Sequence, residues 1–196
     1  LPLGCTLAGS PSAAALQAMQ RFDAEDFDAL LAFSQTVVAA GAQALIVHAR
    51  KAVLGGLSPH ENRTVPPLHH AVVARLRAAM PSVPVILNGG LRTVETVASA
   101  LQAVDGVMIG REAYHHPWMM TAWDERFLGG RPCPRTPDEV EAAMLAYMQR
   151  EALEDGTPWS AIARHMLGLH HGRRGARLWR QVWSDHKLKA LPAAQV

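Results

Sequence analysis

Three short apolar runs alternate with longer amphipathic segments along the first two thirds of the chain. The runs are Ala44–Val47, Val83–Leu87 and Gly106–Ile109. They are too short for helices and rich in β-branched residues, so they predict strands that are buried on both faces.

The segments between these runs carry apolar residues at helical spacing. The apolar positions are Phe27, Leu30, Leu31, Val37 and Val38 before Gly41, then Val72, Val73, Leu76 and Met80 after Pro66-Pro67, then Val94, Val97 and Leu101 after Thr93. Thr93 is a good N-cap, and Gly41 suits the C-terminal cap of the first helix. The alternation predicts βαβ units in a parallel sheet, as in a (β/α)₈ barrel or a doubly wound fold.

The pattern changes near residue 129. Gly129–Pro134 indicates a linker, and Thr136–Glu139 is a strong helix start, with Thr as N-cap, Pro next and Glu three residues after the cap. Only helical patterns follow. The pattern therefore predicts an unassigned segment at 1–20, a domain of βαβ units at 21–128 and a small all-α helical domain at 129–196.

The composition is that of a soluble globular protein, with 196 residues, of which 49% are hydrophobic and 18% charged. No run reaches membrane-spanning length, no secretory signal is visible, and a reduced cytoplasmic setting is expected. Cys5, Cys133 and the paired histidines lack metal-ligand spacing, so no metal is expected.

Positive charge is concentrated near the carboxyl terminus. Between Arg164 and Lys189 the chain has seven Arg or Lys, four His and a single carboxylate, Asp185. Such a surface is compatible with a polyanionic partner, although it is also compatible with a solvated helix face.

Groups suited to anion binding follow each predicted strand. His48 ends the first, Asn88-Gly89-Gly90 ends the second just before a helix, and Gly110-Arg111 follows the third. Glycine amides, a helix N-terminus and a guanidinium can together bind a phosphate at the carboxyl edge of a parallel sheet. Taken singly, the glycines are more typical of a turn, and His48 is equally typical of a buried core histidine. Together at adjacent strand ends, the two glycine motifs are as typical of a phosphate site as of turns.

Several of these segments, in this order, closely resemble the tRNA-dihydrouridine synthases, specifically the A subfamily that acts at uridine 20 or 20a of the D-loop. The matching segments are Ile46–Ala52, Gly56–Arg63, Pro66–Leu68, Asn88–Gly90, Asp105–Tyr114, His165–Leu169 and Gly175–Arg180. The resemblance covers about residues 26 to 185. It implies an FMN-dependent TIM barrel followed by a helical tRNA-binding domain, with NADPH as reductant and no stable protein partner.

The resemblance also implies roles for individual residues. The positions that match FMN-binding residues of the family are His48, Asn88, Gly89, Gly90, Gly110 and Arg111. The expected tRNA-binding residues are Arg50, Lys51, His60, Arg63, Arg177 and Arg180. For the charged loop that carries the first four of these, a solvated surface is an equally good interpretation from sequence alone.

The chain matches only the last three strands, approximately, of such a barrel. The family's catalytic cysteine, glycine-rich flavin loop and flavin-contacting lysine have no counterpart here, and neither Cys5 nor Cys133 lies in a matching context. We therefore expect no catalytic residue in this chain, and no activity from it alone. The alternatives are a non-catalytic tRNA-binding remnant and another flavin or sugar-phosphate TIM barrel, although the latter leaves the Arg-rich helical region unexplained.

Overall fold

The computed structural model describes residues 22–53 and 57–196. Contacts divide the chain into two compact units, one that ends at Ile109 and one from Gly110 to Val196. The sequence instead predicted a boundary after residue 128, and that division into domains stays a prediction.

The first unit contains a three-stranded parallel sheet with helices between the strands. Its elements are α1 (Ala24–Ala39), β1 (Leu45–His48), α2 (Pro59–Asn62), α3 (His70–Ala79), β2 (Val85–Asn88), α4 (Val94–Ala100) and β3 (Gly106–Met108). The strand order is β1-β2-β3. Chain order therefore equals spatial order, as it does around a (β/α)₈ barrel, and the predicted α/β class is confirmed.

The helices cover one face of this sheet. Val85 and Leu87 of β2 are buried there, with 0% and 2% of their surface exposed, and α3 and α4 contribute Leu76 and Val97 to the same core. The opposite face is partly open, since Ile46 of β1 is 61% exposed. The prediction that all three strands are buried on both faces was wrong, because the described helices pack against one side of the sheet only.

Capping residues set the helix boundaries as the sequence predicted. Thr93 accepts the amide of Thr96 at the start of α4, and Gly41 follows α1 with φ +108°, a left-handed conformation that glycine adopts without strain. Asp23 and Asp26 form a reciprocal capping box at the start of α1. Local chemistry therefore accounts for the ends of these elements.

Two carboxylates hold together segments of the first unit that are distant in sequence. The amide of Val85 donates to Asp105 Oδ2 at 2.9 Å, and Arg77 pairs with the same carboxylate. Asp26 of α1 pairs with Lys51, with 2.6 Å between Nζ and Oδ2. The hydrogen bond from the Val85 amide, followed by the one from Arg77, lowers the pKa of Asp105. The hydrogen bond from Lys51 lowers the pKa of Asp26.

We expect the first unit to lose stability as the pH falls below about 4. Each folded-state pKa lies below the ordinary value of 3.8, so the unfolded chain binds more protons in acid. The stabilisation is thus fully present above that value and is lost as the pH falls through the folded pKa. Amide hydrogen exchange of β1–β3, compared between pH 6 and pH 3, measures this loss of stability.

Asp105→Asn should reduce both the stability near neutral pH and its acid dependence. The matched control is Asp28→Asn on an exposed part of α1. Equal acid dependence for Asp105→Asn and the unaltered chain would contradict the assignment.

The described elements of the second unit are helical. They are α5 (Arg111–His115), a 3₁₀ helix (Pro117–Ala122), α6 (Trp123–Phe127), α7 (Pro137–Glu154), α8 (Trp159–Ala163), α9 (Ala176–Ser184) and two 3₁₀ helices (His186–Ala190, Ala193–Gln195). Thr136 caps α7 and Pro137 follows it, as the sequence predicted. That residues 129–196 form a separate all-α domain stays a prediction.

Tryptophan and methionine side chains form the core of the second unit. The core includes Met148 of α7, Trp159 of α8, Met166 of the segment after α8 and Trp183 of α9, and each is at most 9% exposed. The rings of Trp159 and Trp183 meet edge to face with centroids 5.5 Å apart, a favourable aromatic geometry. These tryptophans therefore belong to the core rather than to a base-stacking surface.

One carboxylate connects the helices around this core. Glu141 of α7 accepts the indole N–H groups of Trp179 and Trp183 at 2.7 and 3.3 Å on Oε1. Its Oε2 lies 2.9 Å from Nε2 of His170, which must donate because a carboxylate only accepts. Nδ1 of His170 then accepts from Arg173 at 3.2 Å.

Across the described ranges, no helix is long and apolar enough to cross a membrane.

Candidate functional site

The carboxyl ends of β1 and β2 lie side by side. His48 and Asn88 are register partners in the parallel ladder, and the amide of Ala49 donates to the carbonyl of Asn88 at 2.8 Å. Strand periodicity places both side chains on the open face of the sheet, where His48 is exposed. The structure therefore brings together two of the residues that the sequence singled out.

Two consecutive glycines continue the chain from β2 in conformations that other residues rarely adopt. Gly89 has φ +116° and Gly90 has φ +73°. A Cβ on Gly89 would lie 3.3 Å from Cε1 of His48, and one on Gly90 would lie 2.2 Å from Cδ1 of Leu68. Only glycine lets the backbone run this close to the histidine ring without strain.

His70 of α3 fixes the position of this turn. Its Nε2 lies 2.9 Å from the carbonyl oxygen of Gly89, and since a carbonyl only accepts, Nε2 carries the proton. Sequence reasoning missed this contact, because His70 is distant in the chain and its only signal was a pair of adjacent histidines.

A helix begins shortly after this turn, and its contribution to anion binding stays a prediction. Three residues separate Gly90 from α4, and the first turn of that helix is already capped by Thr93. The amides of the turn itself, which no Cβ screens, are also suited to a phosphate or another anionic ligand.

Gly110 and Arg111 follow β3 in the chain and begin the second unit. Gly110 precedes α5, and no side chain caps that helix. Both residues are exposed. Their convergence with His48 and the glycines on one pocket stays a prediction.

The two cations after β1 hold the following loop. Arg50 donates to the carbonyl of Arg63 at 3.0 Å and to that of Pro66 at 2.6 Å, while Lys51 pairs with Asp26. Their predicted contact with RNA is not tested by these bonds, which show that both side chains position the segment between β1 and α3.

A short helix in this loop carries His60 and is followed by Arg63, the other two residues of the loop that are expected to bind tRNA. Ser58 and Glu61 cap α2 reciprocally, and Asn62 bonds both backbone groups of Val53. His60 and Arg63 are exposed. This role of Asn62 was not predicted, because an asparagine that hydrogen-bonds across a loop leaves no periodic signal in the sequence.

Arg177 and Arg180 lie on α9, which begins after Gly175 in a left-handed conformation. Arg177 is exposed and Arg180 is half-buried. Leu178 of the same helix is 66% exposed. The buried residues of α9 are Ala176 and Trp183, so Leu178 shares the outer surface with Arg177.

No group of three or more side chains suited to a metal ion occurs within residues 22–53 and 57–196. Cys133 is a free, exposed thiol, and Cys5 lies outside the described residues.

Comparisons with known proteins identify the family. The sequence model described as Dihydrouridine synthase (Dus) matches residues 18–195. A tRNA-dihydrouridine(20/20a) synthase of Xanthomonas campestris is 44% identical over 163 residues, which are 83% of this chain and 48% of the relative. Those of Escherichia coli K12 and Pseudomonas aeruginosa are 42% and 40% identical, over 86% and 88% of this chain and 49% and 52% of their own lengths.

The chain thus spans about half the length of the curated relatives that it matches. The family match covers most of the chain and includes both the strand-end site and the helices of the second unit. The chain belongs to the dihydrouridine synthase family.

Proposed function

We propose that this chain is the barrel-end and tRNA-binding part of an enzyme that reduces uridine 20 or 20a in the D-loop of tRNA. The relatives that it matches are named tRNA-dihydrouridine(20/20a) synthases. The observation that carries the proposal is the paired end of β1 and β2, where His48 lies against Gly89, the first of two consecutive glycines with positive φ.

This strand end fits FMN by its donor chemistry. The amides of Gly89 and Gly90 suit a phosphate because no Cβ covers them, and Arg111 would add a bidentate cation. His48 and Asn88 would hydrogen-bond the cofactor, and Gly110 would let the chain approach it closely. Bound FMN would supply the redox chemistry, taking electrons from NADPH and delivering them to the uracil ring.

Basic side chains would hold the tRNA. We assign His60 and Arg63 on the α2 loop and Arg177 and Arg180 on α9 to contacts with the RNA backbone or bases. Arg50 and Lys51 would contribute by fixing the loop, because their bonds to Arg63, Pro66 and Asp26 already hold it.

The chemistry also needs a proton donor for the uracil carbon opposite the hydride. Cys133 is not at a strand end, so we assign this role to no residue of the chain. These 196 residues by themselves should therefore not reduce tRNA. The second candidate is a remnant that binds tRNA but has no turnover. It is favoured by the exposed side chain of Arg177 on α9 and by the lack of an assigned proton donor.

Mixing this chain with the amino-terminal half of a 40–44% identical relative should give dihydrouridine formation that requires FMN and NADPH. Each part alone should be at least about a hundredfold slower, since loss of a general acid typically costs that much. Mass spectrometry of nucleosides from unmodified tRNA transcripts measures the product.

His48→Ala should raise the FMN concentration needed for half-maximal rate by about tenfold, the value of one hydrogen bond to the cofactor. His186→Ala, an exposed histidine in a 3₁₀ helix, is the matched control. An unchanged FMN requirement in His48→Ala would remove His48 from the cofactor site.

For the mixing experiment described above, a mixture of the two halves that binds tRNA but forms no dihydrouridine would support the tRNA-binding remnant.

A further inference from the structure

A cleft of about 410 Å³ lies within the second unit and shares Arg180 with the residues assigned above to tRNA. Residues of α5, of the segment after α8 and of α9 line it. The polar ones include Tyr114, His116, Arg164, His165, His171 and Arg180.

A chain of hydrogen bonds determines which way the Tyr114 hydroxyl donates. Nε of Arg164 donates to Nε2 of His165 at 3.0 Å, so Nε2 carries a lone pair. The proton of the neutral ring is then on Nδ1, which lies 2.9 Å from the Tyr114 oxygen and donates to it. The hydroxyl hydrogen of Tyr114 is thereby left to donate to a further acceptor.

Two guanidinium groups give the cleft a positive charge. Within residues 22–53 and 57–196, neither Arg164 nor Arg180 forms an ion pair with a carboxylate. Glu112 is the acid bonded to this cluster, and its partner is His116. Two such cations in a concave surface favour an anionic ligand.

The walls of the cleft are built to a fixed shape. The rings of His116 and His171 contact each other at an interplanar angle of 37° with centroids 3.6 Å apart, and Tyr114 meets His165 edge to face at 5.9 Å. Tyr114 nevertheless remains 49% exposed. Its hydroxyl is therefore both oriented and accessible from solvent.

We propose that this cleft binds a phosphodiester group of the tRNA backbone. Tyr114 donates a hydrogen bond to a phosphate oxygen, Arg164 orients Tyr114 through His165 and adds charge, and Arg180 contacts the same or the next phosphate. The proposal rests on tRNA being the ligand of the chain, as proposed above, and it adds Tyr114, Arg164 and His165 as positions that bind it.

This proposal is tested by the affinity of the full chain for a tRNA transcript that contains the D-loop. Fluorescence anisotropy at several salt concentrations measures that affinity. Tyr114→Phe should weaken binding about tenfold, because it removes one hydrogen bond to a charged group and keeps the ring. Arg164→Ala should weaken binding and reduce the slope of log affinity against log salt by about 0.7 to 0.9, as for one lost phosphate contact. Circular dichroism confirms that each variant is folded.

Tyr147→Phe and Arg150→Ala are matched controls, since both residues lie on α7 outside the cleft. They should leave the affinity unchanged. If tRNA binds and all four variants behave like the unaltered chain, the cleft assignment is wrong while the proposed function stands. If the chain binds no tRNA, both are wrong.

Inorganic phosphate provides the second arm of the test. Saturable binding below about 1 mM that Tyr114→Phe abolishes, without an effect on tRNA affinity, would assign the cleft to a small phosphate ligand and overturn the RNA assignment. Loss of tRNA affinity in Tyr114→Phe, with weak phosphate binding, supports it.

Discussion

Gly168→Ala should destabilise the second unit by about 3 kcal/mol, near the upper end of the cost of overpacking a core. A Cβ at this position would lie 2.2 Å from the carbonyl oxygen of His115 and 2.7 Å from its carbon. Both atoms belong to the backbone, so a side-chain rotation cannot relieve the clash. The segment after α8 would have to move away from the end of α5.

Denaturant unfolding followed by tryptophan fluorescence measures this effect, because all five tryptophans lie between residues 118 and 183. Gly110→Ala is the matched control: a Cβ there would meet nothing within 4 Å, and its φ is −106°. An equal unfolding midpoint for the two variants would show that the segments do not approach as closely as described.

Glu141→Ala should cost the second unit about 3 kcal/mol. The substitution leaves the indole N–H groups of Trp179 and Trp183 and the Nε2–H of His170 without their acceptor. Trp183 is 6% exposed and the His170 side chain 11%, so water restores these bonds only in part. Each unsatisfied buried donor typically costs about 1–3 kcal/mol.

Glu141→Gln separates hydrogen bonding from side-chain volume. An amide oxygen still accepts from the two indoles, but its NH₂ group meets the proton of His170, so we expect a loss of about 1 kcal/mol. Glu154→Ala at the exposed end of the same helix is the control for removal of a carboxylate. Similar losses for Glu141→Ala and Glu154→Ala would contradict a connecting role for Glu141.

Local patterns predicted the elements of this fold because their causes are local. The strands of the first unit appear within two residues of the predicted ends, and Thr93 and Thr136 begin their helices as expected. The one-sided burial of the sheet was not predictable in this way. An apolar run reports that a strand is hydrophobic but not which of its faces the rest of the chain covers.

The strand-end site was predictable to a similar extent. Parallel pairing alone requires that His48 and Asn88 lie together once both runs are strands. The contacts of Arg50 with Pro66 and of His70 with Gly89 join residues 16 and 19 positions apart. Such contacts depend on how the loops fold, and single-sequence periodicity carries no information about that.

The paired order of β1, β2 and β3 has a consequence for handling the protein. In the described part of the chain, β1 and β3 each hydrogen-bond to a neighbour on one side only. A strand edge whose amides and carbonyls have no neighbouring strand can hydrogen-bond an extended segment of another molecule. The exposed apolar side chains of Ile46 and Met108 add hydrophobic surface beside these edges. The 196-residue chain in isolation should therefore self-associate with rising concentration, and short peptides that add a strand at either edge should suppress this.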